Sequence, residues 1–364
     1  MRGAVGPLVS AFEANVGRTR LVRLKHASEL TGCTILGKCE FENPGGSVKD
    51  RAALWMIRDA ERRGLLVPGK PGVVVEGTAG NTGIGLALAA ATRGYKCVIV
   101  ITSTQSVEKL NTLRSFGAHL VEVPAVPFKD PNNYVHIARR LADALQASGQ
   151  RAFYANQWDN LANRQAHVDS TGPEVWQQTG GRLDAFCCAV GTGGTLSGMA
   201  ASLRSLSGGR VKIALTDPTG GAMFRWFRDG EVKAEGSSVT EGIGQGRVTG
   251  NIEGFRPDMQ FEISDNESLP VLYDTQQYDG LALGGSSGVN IAGAMRVAQQ
   301  LGKGSTVATI LCDLGSRYAS KLYNPQFLAS KGLPVAPWLL DTERADPAFV
   351  KLLKEAHGAA VLPK

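Results

Sequence analysis

Short apolar, β-branched runs alternate along this chain with stretches of helical spacing, and glycine clusters stand at the junctions. The runs predict strands at Ile35–Phe41, Val73–Glu76, Cys97–Ile101, His119–Val123, Ala185–Val190, Lys212–Thr216 and Val307–Cys312. Helices are predicted over Ala52–Arg63, Thr82–Arg93, Val107–Ser115 and Asn133–Gln146. Strands that are apolar throughout must be covered on both faces, and helices between them supply the cover, so the class is α/β with mostly parallel sheets. A length of 364 residues suits two packed lobes. In the helix after Lys49, Leu54, Ile57 and Ala60 share one face while Arg58, Arg62 and Arg63 lie off it. Ser47 is placed to cap that helix and Gly64 to end it. The helix from Thr82 is apolar nearly all round and is therefore expected to be buried.

Composition excludes several functions. The formal charge is +6, with no run of five basic residues, so there is no nucleic-acid patch. The six cysteines form no CxxC pair and no Cys/His ligand spacing. Free, largely buried thiols in a reducing compartment are expected, and no metal. No stretch nears the ~20 apolar residues of a membrane span, and the N-terminus lacks a secretory apolar core. A cytoplasmic protein is the expectation. Pro218–Phe255 is glycine-rich and is expected to be a long functional or mobile loop. The tail from Leu333 has no assigned role.

Four motifs carry chemistry. Asn43-Pro44-Gly45-Gly46-Ser47-Val48-Lys49 places a lysine at a helix start, where the dipole disfavours an ammonium; a Schiff-base lysine needs that depression. Taken alone, it is also an ordinary exposed lysine in a turn. Thr78-Ala79-Gly80-Asn81-Thr82 joins a strand to a helix and offers amides to a carboxylate, or is simply a well-capped turn. Gly191-Thr192-Gly193-Gly194-Thr195 follows an apolar strand and lets the backbone curl around a phosphate. It is neither G-x-G-x-x-G nor a P-loop. Gly284-Gly285-Ser286-Ser287-Gly288 enters another helix and reads alone as a cap.

In their order, NPGGSVKDR, EGTAGNTGIGLALAAATRGY, AVGTGGTLSG, EGIGQGR and GGSSG resemble the fold-type-II pyridoxal-5′-phosphate (PLP) enzymes. The likeness spans about residues 16 to 330 and is nearest to the cysteine synthase and cystathionine β-synthase branch. It implies a tryptophan synthase β-like fold: two lobes of mostly parallel twisted sheets flanked by helices. Residues 45–155 would form the smaller, mobile lobe, and 1–44 with 156–364 the larger one. It also implies roles. Lys49 would be the lysine that binds PLP and moves the Cα proton. Asn81 would bind the ring oxygen, Gly191, Thr192, Gly193, Gly194 and Thr195 the phosphate, and Ser286 the pyridine nitrogen, with Ser287 next in register. Thr78, Ala79, Gly80, Asn81 and Thr82 would close on the substrate carboxylate, helped by Gln157, and Gly242 would back the site.

The implied reaction is β-replacement, giving L-cysteine from O-acetylserine and sulfide by way of an aminoacrylate. Cystathionine β-synthase and cysteine desulfhydrase share the scaffold; the regulated cystathionine enzymes carry a further domain for which this chain has no residues left. A non-enzymatic PLP-binding partner of serine acetyltransferase is the third reading, and the presence of Lys49 opposes it. The resemblance further implies a homodimer and serine acetyltransferase as a partner. Two departures stand out. Relatives have Ser where Ala79 stands, and their IGNTPL reads VGRTRL here, with Arg18 and Arg20, so packing is expected to differ there.

A hydroxyl at residue 79 adds a hydrogen bond worth about 0.5–1.5 kcal/mol if it reaches substrate. Ala79→Ser is therefore expected to shift the ratio of kcat/KM between O-acetylserine and other serine-type substrates up to about tenfold without creating activity. Equal ratios in the two variants would make residue 79 a loop filler.

Overall fold

The computed structural model describes residues 10–78, 80–105, 107–340 and residue 355, so Ala79 lies outside the described residues. Its ten strands are β1 (Leu21–Arg23), β2 (Thr34–Cys39), β3 (Val73–Gly77), β4 (Lys96–Thr102), β5 (His119–Val123), β6 (Ala152–Tyr154), β7 (Ala185–Cys188), β8 (Lys212–Pro218), β9 (Met259–Ile263) and β10 (Thr306–Leu311). They form a six-stranded sheet in the order β1-β2-β10-β7-β8-β9 and a four-stranded sheet in the order β5-β4-β3-β6. Every pairing is parallel except β1 with β2.

All seven predicted strands are present, with ends shifted by a residue or two. The strand predicted to reach Phe41 stops at Cys39 and turns through Glu40–Glu42, and the one predicted to reach Val190 stops at Cys188. The three strands that the apolar runs did not reveal, β1, β6 and β9, all lie at sheet edges. An edge strand has one neighbour and less surface to bury, so it needs no long apolar run. β1 and β6 have three residues each, and four of the five in β9 are only partly buried.

The Lys49 helix spans Lys49–Arg62, beginning three residues before the predicted start. Ser47 Oγ accepts the Lys49 amide at 3.2 Å, so the cap acts from two residues before the first helical residue. Gly64 ends the helix as expected, with φ +74°. Ala53, Met56, Ile57 and Ala60 are buried in one core with Ile84, Leu86 and Ala87 of the helix Asn81–Ala91. The two helices approach closely at Gly85, where a Cβ would lie 3.1 Å from Ala53 Cβ and 3.2 Å from Asp50 Cα. Pro218–Phe255 is less irregular than its composition suggested. Pro218 ends β8, a helix spans Met223–Asp229, and a 3-10 turn spans Gly250–Ile252. Five of the cysteines are buried and Cys312 is partly so, all of them free.

A fully buried guanidinium ties the Lys49 helix to the larger sheet. Arg51 donates through Nε and NH2 to both oxygens of Glu40, at 2.7 Å each. It also donates to both oxygens of Glu174, at 2.7 and 2.8 Å. Lys38 Nζ joins at 2.7 Å from Glu174, and Thr19 Oγ1 donates to Glu40 at 2.8 Å. Burial alone would raise both carboxyls. The Arg51 charge and hydrogen bonds overcome it, holding Glu40 below its usual range and Glu174 at about 2. The two arginines of the altered N-terminal motif lie at the surface. Arg20 pairs with Glu42 at the surface, and Arg18 takes φ +51°, a conformation an asparagine tolerates more readily.

Removing one partner of a buried pair leaves a charge in a dry site. Arg51→Met is expected to cost about 3–5 kcal/mol of unfolding free energy, read from urea denaturation. A loss below about 1 kcal/mol would show that water or Lys38 replaces the guanidinium.

Candidate active site

The site forms where the larger sheet's central strand ends. β10 stops at Leu311, and Cys312 and Asp313 then meet three other segments. Val48 donates its amide to Cys312 O at 3.1 Å, and Ser47 bridges to Asp313, so the turn before Lys49 is stitched to this strand end. Gly284 donates to Asp313 O at 3.0 Å, which brings in the helix Gly285–Leu301. Asn81 Nδ2 donates to Asp313 Oδ2 at 2.7 Å, which brings in the first turn of the helix Asn81–Ala91. Ligand sites of α/β folds lie at the carboxyl ends of parallel strands, and this one obeys that rule.

Lys49 is half-buried in the cleft so formed. Its charge acts on His167, on Cys188 and on the adjacent Cys312 and Asp313, which three segments of the chain bring near it. Ser286 and Ser287 occupy the first turn of their helix. Ser287 is fully buried and its Oγ accepts the Cys312 amide at 2.9 Å. Ser286 keeps slight exposure and reaches the Cys312 thiol, which burial pushes up to about 11 against that hydrogen bond. The structure thus gives the two adjacent serines different partners: Ser287 accepts the Cys312 amide and Ser286 reaches the Cys312 thiol.

Gly191–Thr195 runs from beyond β7 into the helix Gly194–Ser207. Among the described residues the amides of Gly193, Thr195 and Leu196 have no backbone acceptor, which is the donor set an anion needs. Gly193 has φ +85°, and a Cβ there would lie 1.9 Å from Ile252 Cγ2. A Cβ on Gly191 would lie 2.5 Å from the carbonyl oxygen of Gly242, so Gly242 packs directly against this loop. Thr249 Oγ1 donates to Thr192 O at 2.7 Å.

Thr78 is buried and its Oγ1 accepts the Gly80 amide at 3.3 Å. Thr82 Oγ1 donates to Gln157 Oε1 at 2.7 Å, so Gln157 stands directly behind the Thr78–Thr82 loop. Of the sequence-predicted residues, Lys49, Asn81 and Ser286 meet at Cys312-Asp313, while Thr82 with Gln157 and Gly191 with Gly242 form adjoining walls.

Sequence reasoning missed Asp313, Arg317 and Tyr318. Tyr318 OH donates to Asp313 Oδ2 at 2.7 Å, and Arg317 donates to Asn81 Oδ1 and to Gly45 O. These contacts define the Asn81 amide, oxygen toward Arg317 and nitrogen toward Asp313. Burial raises the Asp313 carboxyl, and its Oδ1 has no partner among the described residues. The available signal was position: Asp313 directly follows the predicted buried strand Val307–Cys312. A broad surface groove lined by Trp55, Arg58, Arg63 and Arg139 contains none of these residues.

The donor set fits pyridoxal phosphate. It combines a loop of orphan amides whose glycines have no room for a Cβ, a half-buried primary amine, an oriented amide and a neutral hydroxyl. The sequence profile described as "Pyridoxal-phosphate dependent enzyme" matches residues 12–313. "Cysteine synthase 1" of Emericella nidulans is 52% identical over 332 residues, covering 89% of this chain and 87% of that protein. "Cystathionine beta-synthase" of Rattus norvegicus is 38% identical over 320 residues, covering 87% of this chain and 56% of that one. The crystal structure of O-ureido-L-serine synthase superposes with a TM-score of 0.77 at 32% identity, covering 95% of this chain and all of that one. Among the described residues no helix is long and apolar enough to cross a membrane, and no cluster of side chains is built to hold a metal.

Glu76 lies beneath the Thr78–Thr82 loop at the end of β3. It is fully buried, and Gln157 donates to it through N and Nε2 at 3.4 and 3.2 Å. Burial lifts its carboxyl to about 8 despite those donors. The folded protein therefore keeps a proton that the unfolded chain releases above about 4.5, so this group's contribution falls as pH rises toward 8. The slope is about 1.4 kcal/mol per pH unit. Glu76→Gln is expected to flatten that decline in melting temperature between pH 5 and 8, as read by calorimetry (bounds set by these two values). An unchanged slope would mean Glu76 is ionised in the fold.

Proposed function

The chain belongs to the pyridoxal-phosphate dependent enzyme family, and from that premise we propose that it makes L-cysteine from O-acetylserine and sulfide by β-replacement. The observation that carries the reading is 52% identity to a cysteine synthase over nearly nine-tenths of both chains. The meeting of Lys49, Asn81 and Ser286 around Cys312-Asp313 supports it.

When bound, the cofactor supplies an electron sink conjugated to the substrate's Cα. Lys49 would hold it through Nζ, and its amine would be the base that takes the Cα proton and later returns it. Thr192, Thr195 and the amides of the Gly191–Thr195 loop hold the phosphate. Asn81 holds the ring oxygen, its amide oriented by Asp313 and Arg317. Ser286 presents a neutral hydroxyl to the ring nitrogen. A hydroxyl there would sustain a positive ring nitrogen less well than a carboxylate, which would suit elimination of the β-substituent better than transamination. The amides of the Thr78–Thr82 loop, with Gln157 behind them, bind the substrate carboxylate. Gly242 contributes by supporting the phosphate loop.

The same reading assigns residues 45–155 to a smaller lobe that closes on substrate, since the four-stranded sheet and the Lys49 helix share one core. It makes the enzyme a cytoplasmic homodimer, with serine acetyltransferase as a partner.

Purified enzyme supplied with O-acetylserine, O-phosphoserine, serine or cysteine, each with sulfide or homocysteine, is expected to give cysteine fastest from O-acetylserine and sulfide. Cystathionine as the dominant product would move the chain to the other branch. Borohydride is expected to fix the cofactor to one peptide containing Lys49. Lys49→Ala is expected to lower turnover at least about a thousandfold while melting like the parent. Labelling of any other lysine overturns the assignment.

A further inference from the structure

Two side chains outside every motif brace the Gly191–Thr195 loop from behind. Asn163 lies in the helix Leu161–Ala166, and His167 is the first residue of the π-helical turn His167–Thr171. They stand four residues apart, hence on one face. Both are buried, at 2% and 1% exposed. Asn163 Nδ2 lies 2.8 Å from Thr192 Oγ1, and His167 Nε2 lies 3.2 Å from Thr195 Oγ1. The approach is built into the opposing helix. A Cβ on Gly194 would lie 2.3 Å from Asn163 Oδ1, and one on Gly198 would lie 2.7 Å from His167 Cβ.

Hydrogen-bond direction can be worked out on both sides. Asn163 Nδ2 also lies 2.8 Å from Gln157 O, which can only accept, so the nitrogen faces that way and Thr192 Oγ1 must accept from it as well. The Gly194 amide also points at Thr192 Oγ1, at 3.5 Å. With donors behind it, the Thr192 hydroxyl can place its own hydrogen only forward, into the loop. For His167 the deciding group is Thr171. Its hydroxyl is fully buried, and its partner among the described residues is His167 Nδ1, at 2.9 Å. A buried hydroxyl hydrogen needs an acceptor. Thr171 therefore donates to Nδ1, which leaves the hydrogen of the imidazole on Nε2, donating to Thr195 Oγ1. The Thr195 hydrogen is then turned forward too. Burial first, and then the Arg51 charge, keep this imidazole neutral, with its pKa down at about 3.

We propose that Asn163 and His167 are positioning residues that turn the Thr192 and Thr195 hydroxyl hydrogens onto the cofactor's phosphate. The loop then meets the anion with donors alone, set before it binds. This rests on the assignment of the Gly191–Thr195 loop as the phosphate site.

The test compares PLP with pyridoxal, which lacks the phosphate, by titrating each into full-length protein stripped of cofactor. Wild type is expected to bind PLP far more tightly. His167→Met is expected to weaken PLP binding about tenfold, as when one charge-assisted hydrogen bond loses its direction, and to leave pyridoxal binding unchanged. His167→Gln, whose amide nitrogen replaces Nε2, is expected to recover most of the loss. Asn163→Asp, which keeps the shape but loses the donor, is expected to behave like His167→Met. Equal weakening toward PLP and pyridoxal would reduce His167 to a packing role and overturn the proposal. If wild type itself bound the two ligands equally, the loop would not be the phosphate site, and the underlying assignment would fail instead. Should His167→Met not fold, nitrogen NMR of the wild-type imidazole decides: hydrogen on Nε2 supports the proposal, and hydrogen on Nδ1 overturns it.

Discussion

The bidentate grip of Arg51 on both Glu40 and Glu174 is the contact on which the site most depends. Arg51 sits two residues after Lys49, in the first turn of a helix whose apolar face belongs to the core of the four-stranded sheet. Its partners belong elsewhere: Glu40 follows β2 of the six-stranded sheet, and Glu174 lies in the helix Gly172–Gln178. Two positive and two negative side chains, counting Lys38, are brought together out of water. Such a set is stable only when every member is present and hydrogen-bonded. The backbone that carries Lys49 is therefore anchored by a neutral ion cluster two residues further on.

A second consequence concerns how few residues organise the cleft. Cys312 and Asp313 take contacts from the Val48 amide, the Gly284 amide, the Ser287 hydroxyl and the Asn81 amide. One strand end thus sets the relative placement of the amine, the serine pair and the asparagine. Asp313 has an oxygen without a partner among the described residues in a buried setting, an arrangement that costs free energy. The phosphate loop is organised from the side of Asn163, His167, Thr249 and Ile252. This support touches the Arg51 cluster, since Ser170, in the same turn as His167, accepts Arg51 NH1 at 3.0 Å.

The parallel sheets, the buried helix after Asn81 and the four glycine-bearing turns were legible in the sequence, because each follows from local spacing. Continuous apolar runs and glycine punctuation express constraints that a strand or turn meets within a few residues. Lys49 and Gly191–Thr195 stood out because a lysine or a glycine loop at a helix start has chemistry of its own, whereas Asn81 and Ser286 were named through the resemblance of their motifs to the PLP enzymes. The edge strands β1, β6 and β9 escaped because an edge leaves no strong apolar record.

Only the tertiary structure decided which of the two adjacent serines holds a backbone amide, since the Cys312 amide arrives from 25 residues away to occupy Ser287. It alone decided the orientation of the Asn81 amide, set by Asp313 and Arg317 more than 230 positions along the chain. The neutral state of His167 and its place behind Thr195 were likewise decided there. By itself the sequence determined the element types and the chemical kinds of group available, because these are local properties. Burial, hydrogen-bond direction and protonation depend on what the rest of the chain brings within about 3 Å, and only folding specifies that.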